Sequence, residues 1–145
     1  MRVIGLALAV VLAGCGGASV SLDRQAYAAK LSAMCRDFSA REKRIGEPHT
    51  LDDVALRGPL IVEAFDEAIR DKVRRLRASE PIATQARRFR DLADEQHDVL
   101  AALAVAAKRG DGSRAERLAV RNQALNSEAG SIARALGARA CAAPD

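Results

Sequence analysis

Tryptophan is absent from this chain, and other aromatic residues are scarce: one tyrosine and three phenylalanines in 145 residues. Unpaired bases would find few rings to stack on, which argues against nucleic acid as a partner. Long apolar runs are also lacking. The stretch from Val3 to Leu12 falls short of the roughly 20 residues that a spanning helix needs, and no later run is long enough to cross a bilayer. Strict apolar–polar alternation is missing and β-branched residues are scattered, so strands are not expected. The chain has no Gly-x-Ser-x-Gly, Walker loop, Rossmann glycine pattern or Cys-x-x-Cys-His haem site. No catalytic residue, cofactor or enzymatic activity is expected from it.

What is present begins at the N-terminus. Arg2 precedes the Val3–Leu12 run, which leads into Leu12-Ala13-Gly14-Cys15, and small polar residues follow from Gly16 to Ser21. The run has the length of a signal-peptide apolar region. Leu12-Ala13-Gly14-Cys15 resembles the lipobox of bacterial lipoproteins, in which small residues precede an invariant cysteine. The resemblance implies export, a diacylglycerol on the Cys15 thiol and cleavage just before it. Residues 1–14 would be the signal peptide, 15–22 the lipidated cysteine and a flexible tether, and 23–145 the folded domain. The domain would be held at the cell membrane or the outer membrane. Gly16 and Gly17 stand where Gram-negative lipoproteins retained at the inner membrane often carry Asp. Two or more acyl chains, at about 0.8 kcal/mol per buried CH₂, give stable anchoring without a membrane span.

Removing residues 1–14 leaves one ordinary domain's length. Lys+Arg falls from 23 to 22 against 19 acidic residues, a mild net charge of about +3. Cys35 and Cys141 then remain as an even pair, which in an exported chain suggests one disulfide; two unpaired thiols are the alternative.

The rest reads as an all-α domain of four helices. The first is expected from about Asp23 to Ile45, with Tyr27, Leu31, Met34 and Phe38 at helical spacing. The second starts in a capping-box pattern at Thr50-Leu51-Asp52-Asp53 and ends near Ala78, with Gly58-Pro59 kinking or splitting it. Its inner stripe is expected to hold Val54, Ile61, Phe65, Ala68, Lys72 and Leu76, with Ile69 and Val73 beside it. The third starts at Pro81 with a seam of Ile82, Ala86, Phe89, Ala93, Gln96, Leu100, Leu103 and Ala107, and ends at Gly110-Asp111-Gly112. The fourth opens with a capping box at Ser113-Arg114-Ala115-Glu116 and stops at Gly137. Its inner face is Ala115, Leu118, Asn122, Leu125, Ala129, Ile132 and Leu136. Short connections predict an antiparallel, up-down-up-down four-helix bundle after the signal segment. Cys35 would lie about 18 Å up the first helix. The tail after Gly137 must therefore turn back along that helix for Cys141 to meet it.

Three features are candidates for function. Arg70, Arg74, Arg75 and Arg77 end the second helix, and Arg87, Arg88 and Arg90 begin the third. This forms a basic end on the tether side, suited to anionic headgroups. The alternative is solvated faces paired with Asp71, Glu80 and Asp91. Asp94 and His97 share a face, yet no second helix offers a matching pair, so no metal is expected. Gln96 and Asn122 sit on otherwise apolar seams. They would form either a hydrogen-bonded pair, or bonds to Gln123 or Asn126, fixing register, or else the polar groups of a ligand pocket. The many alanines on the seams suggest close packing rather than a roomy cavity. The function expected is a non-catalytic surface-interaction module held to the membrane by its lipid, with an envelope protein as a possible partner. The alternative is a carrier or sensor of a small apolar ligand.

Overall fold

The structure, a computed structural model, describes residues 21–142. The expected signal peptide, Cys15 and most of the tether lie outside the described residues. The described chain is all-helical, and four helices pack together.

Helix α1 (Arg24–Ile45) is capped by Asp23, whose carboxylate accepts from the Ala26 N–H at 2.8 Å. Tyr27, Leu31 and Met34 are buried along one stripe. After Gly46, helix α2 (Leu51–Phe65) opens with the expected capping box. Asp53 N–H donates to Thr50 Oγ1 at 3.1 Å and Thr50 N–H donates to Asp53 Oδ2 at 3.2 Å. Asp does here what Glu usually does.

Gly58-Pro59 does not split α2. Pro59 lies on the exposed side, where water can take the carbonyl that the ring leaves unpaired. Gly58 faces the opposite way, against Ala104 of the third helix; a Cβ built on Gly58 would stand 2.8 Å from the Ala104 Cβ. The irregularity comes later. The rod widens into a π-helical turn at Asp66–Arg70 and finishes as Asp71–Val73. Each residue of a wider turn advances the phase less. Val73 therefore comes round to the core and Lys72 is left outside, reversing the expected order. The rod also ends short of Ala78. Residues 76–79 run extended and pair with Leu22: Leu22 N–H donates to Arg77 O at 2.7 Å and Ser79 N–H to Leu22 O at 2.8 Å.

Helix α3 (Glu80–Lys108) carries Pro81 in its first turn, where no intrahelical N–H is needed. Its buried seam is Ile82, Ala86, Phe89, Ala93, Gln96 and Ala107, with Leu92 and Ala104 beside it. Helix α4 (Gly112–Leu136) is capped by Asp111, which accepts from the Arg114 N–H at 3.0 Å. The expected Ser113–Glu116 box is not used, because Asp111 already takes the free N–H. Ala115, Leu125, Ala129 and Leu136 are buried as expected, and Ala133 joins them.

Gly137, at φ +92°, closes α4 in a left-handed turn: its N–H reaches Arg134 O at 2.9 Å and Ala138 N–H reaches Ala133 O at 2.7 Å. The chain then doubles back as a 3₁₀ turn, Arg139–Cys141, packed on both α1 and α4. The Cys35 and Cys141 sulfurs lie at bonding distance, 2.03 Å, with Cα atoms 5.1 Å apart. The core is concentrated at this end, where Tyr27, Leu31, Phe65, Ile69, Val73, Ile82, Phe89, Leu125 and Leu136 meet.

Replacing Gly58 with Ala should destabilise the protein by about 1 kcal/mol. Overpacking against Ala104 costs ~1–3 kcal/mol, and a gain of up to ~1 kcal/mol in helix propensity offsets part of it. Chemical denaturation of both proteins measures the difference.

Candidate functional site

α1 and α4 meet chiefly through the 3₁₀ tail that lies between them. Beyond the tail, toward the C-terminal half of α1, their separation leaves a half-open cleft of about 300 Å³ over α2 and α3. Phe38, Ile61, Phe65, Ile69, Phe89 and Leu100 supply apolar wall, and Ala93 and Ala129 leave the space unfilled. Phe38 and Phe65 meet edge to face with ring centres 5.4 Å apart, a favoured aromatic geometry. The disulfide and residues 140–142 form one side of the cleft. The many seam alanines therefore do not close the interior as expected. Small side chains admit close approach only where backbones converge, and the tail prevents that here.

The polar lining of this cleft is Ser39, Glu42, Gln96, Asn122 and Asn126. Gln96 is buried. The expected register bond between Gln96 and Asn122 is not made: Asn122 Oδ1 is buried without a hydrogen-bond partner among the described residues. Glu42 keeps an exposed outer edge, but the protein crowding it removes enough water to push its carboxyl above the ordinary value of 4.5.

A second site forms at the other end. Four of the seven arginines expected there are paired, though not with the partners expected for most of them. Arg70 reaches Asp94 at 3.1 Å and Asp66 at 3.3 Å, Arg74 reaches Asp94 at 2.7 Å, and Arg88 reaches Glu128 at 2.6 Å. Arg90 approaches Asp91 at 3.9 Å. Arg75, Arg77 and Arg87 have no carboxylate partner among the described residues. Arg77, Arg87 and Arg90 line a shallow hollow of about 280 Å³ with Tyr27, Leu76 and Ala83. Burial pushes the Tyr27 hydroxyl above its ordinary pKa, and nearby Arg90 works against that shift.

Asp94 and His97 part company. Arg70 and Arg74 hold Asp94, while His97 Nδ1 lies 2.8 Å from Asp66 Oδ1. Among the described residues no three His, Cys, Asp or Glu side chains gather where they could hold a metal, and no helix is long and apolar enough to cross a membrane. Two features had no sequence signal: the Leu22 clamp, made by backbone atoms alone, and the ion pairs joining α1 to α2. In those pairs Asp37 binds Lys72 at 3.0 Å and Arg41 binds Glu67.

Two carboxylates in this region titrate with opposite consequences. Lys72 first, and Arg41 second, hold the Asp37 carboxyl below 3.8, so its support is lost as pH falls through that lowered value. Glu42 is raised, so its protonated form is favoured by folding; that contribution is complete below the unfolded value and lost as pH rises through the folded one. Glu42→Gln should therefore gain stability on the parent protein as pH climbs above 4.5 and keep the gain at neutrality. Thermal denaturation across the acid-to-neutral range reads it. No known protein family, curated protein or solved structure matches the chain.

Proposed function

We propose that this is a lipid-anchored protein of the bacterial envelope, exported, cleaved before Cys15 and held to the membrane by acyl chains on that residue. Its domain is an antiparallel, up-down-up-down bundle whose basic end rests on anionic headgroups while the remaining surface docks an envelope partner. It acts by binding, not by catalysis.

The observation that carries this reading is the Leu22 clamp. Leu22, the last residue of the expected tether, is pinned by two backbone hydrogen bonds to Arg77 and Ser79. The chain thus enters the domain beside the arginines that lack carboxylate partners, at the rim of the hollow formed by Tyr27, Arg77, Arg87 and Arg90. Six residues separate Cys15 from Leu22, and the seven steps between them reach at most about 25 Å. Each arginine at a negative surface adds up to about 1 kcal/mol, an attraction that fades over about 8 Å at physiological salt.

Register supports the helix directions. Between α1 and α2 the pairs are Asp37 with Lys72 and Arg41 with Glu67; between α2 and α3, Asp66 with His97 and Arg70 with Asp94. Between α3 and α4, Arg88 binds Glu128 and Glu95 binds Arg121. In each set one number rises as the other falls, as antiparallel neighbours require.

Mass spectrometry of the protein purified from its own membranes should find Cys15 as the first residue, carrying acyl chains. An unmodified or differently processed N-terminus would overturn the anchor. The triple change Arg75→Gln, Arg77→Gln and Arg87→Gln should weaken binding of the unacylated chain to phosphatidylglycerol vesicles by at least about tenfold at low salt. Binding to phosphatidylcholine vesicles should stay the same, and equal binding of parent and variant to both would remove the role given to the arginines.

A further inference from the structure

The cleft between α1 and α4 has no part in the membrane contact just described. Its mouth, at Phe38 and Glu42, lies more than two helical turns along α1 from Tyr27 at the basic end. Three properties define what it could hold. First, its volume of about 300 Å³ is at the lower end of the range for small-molecule sites. Second, its body is aromatic and aliphatic, with Phe38 and Phe65 fixed edge to face. Third, its buried polar groups, on Gln96 and Asn122, are amides that can both donate and accept. Gln96 is 9% exposed, and Asn122 Oδ1 is buried with no partner among the described residues. A buried acceptor left unsatisfied costs about 1–3 kcal/mol, which a ligand hydroxyl or amide would recover.

Charge narrows the class further. Among the described residues no Lys, Arg or His lines the cleft, and the one ionisable side chain on its lining is Glu42. A carboxylate or phosphate ligand would therefore enter without a counter-ion and face a like charge, an unfavourable burial. An uncharged molecule meets neither obstacle.

We propose that this cleft is a binding site for a small uncharged amphiphile, with an apolar body against Phe38, Phe65 and Ile69 and a single hydroxyl or amide head hydrogen-bonded to Gln96 and Asn122. The site takes molecules of the alkanol class and rejects the corresponding fatty acids. It needs the disulfide-held tail, because residues 140–142 complete its wall.

Photolabelling the full chain in non-ionic detergent with azioctanol, a diazirine alkanol, tests this directly, with adducts mapped by peptide mass spectrometry. Labelling should saturate and fall on the peptides carrying Phe38, Phe65 and Ile69. Octanol should compete at least about tenfold better than octanoate at neutral pH, the ratio expected from one uncompensated buried charge. Replacing Gln96 and Asn122 together with Leu keeps the volume and removes the head-group bonds, and should lower labelling about tenfold. Ala129→Phe fills the cleft from α4 and should abolish labelling there. Circular dichroism verifies folding of each variant, and the octanol–octanoate comparison on the parent chain stands even if a variant fails to fold. Adducts spread over exposed Leu56, Leu60 and Val120, or equal competition by octanol and octanoate, would overturn the proposal.

Discussion

The architecture depends on the short tail after Gly137. A left-handed glycine reverses the chain at the end of α4, and the 3₁₀ turn that follows lies between α1 and α4 instead of beyond them. The Cys35–Cys141 pair fixes it there, joining residues 106 apart in sequence. By the chain-entropy model, closing so long a loop is worth up to about 4–5 kcal/mol. The tail also acts as a spacer. α3 packs closely on both α2 and α4, while α1 reaches α4 mainly through this inserted segment. The core below the wedge is therefore dense, and the cleft opens above it.

A second consequence concerns α2. This helix must satisfy α1 on one side and α3 on the other, and a uniform 3.6-residue period would bring Lys72, not Val73, to the core. The π-helical turn at Asp66–Arg70 resolves the conflict by delaying the phase. It also places Asp66 beside His97 and Arg70 beside Asp94 of α3, so the backbone irregularity is covered by the Arg70–Asp94 ion pair and the His97 ring. Lys72, displaced outward, becomes the partner of Asp37 on α1.

Much of this was legible in the residues, for identifiable reasons. Caps and stops are local: Asp23, the Thr50–Asp53 box and Gly137 work through bonds spanning three to five residues. The seam of α3 was legible because one regular period runs its whole length. The pairing of Cys35 with Cys141 was suggested by the even cysteine remainder, and counting residues around the turn showed that the tail could reach. What escaped depended on relations between helices. Pro59 looked like a break, but whether proline breaks a helix depends on which side meets water. Asn122 looked like the partner of Gln96, yet side chains on two seams bond only if the helices approach closely enough. Arg70 and Arg74 offered either a headgroup site or pairing with Asp71, Glu80 and Asp91, and α3 instead supplies Asp94 to both. The open space itself had no sequence signal. It arises from where a three-residue turn comes to rest, and nothing in the composition of α1 or α4 encodes that position.

The two candidate sites lie at different heights on the same helix, and that separation limits how they can work together. Tyr27 belongs to the basic hollow and Phe38 to the cleft, and eleven residues of α1 amount to about 16 Å. If the proposed orientation holds, with the arginines at the headgroups, the mouth of the cleft stands about two Debye lengths from the surface. A ligand would then reach it from the aqueous side, not by sliding out of the bilayer. The charges agree with such a division. Cations gather at the end where the chain enters, and the only ionisable group on the cleft lining among the described residues is an acid with a raised pKa. An anionic lipid would therefore be drawn to the hollow and refused by the cleft. One small helical domain can keep the two apart because the tail wedges the helices open at one level, while the Leu22 clamp sets the entry of the chain at another.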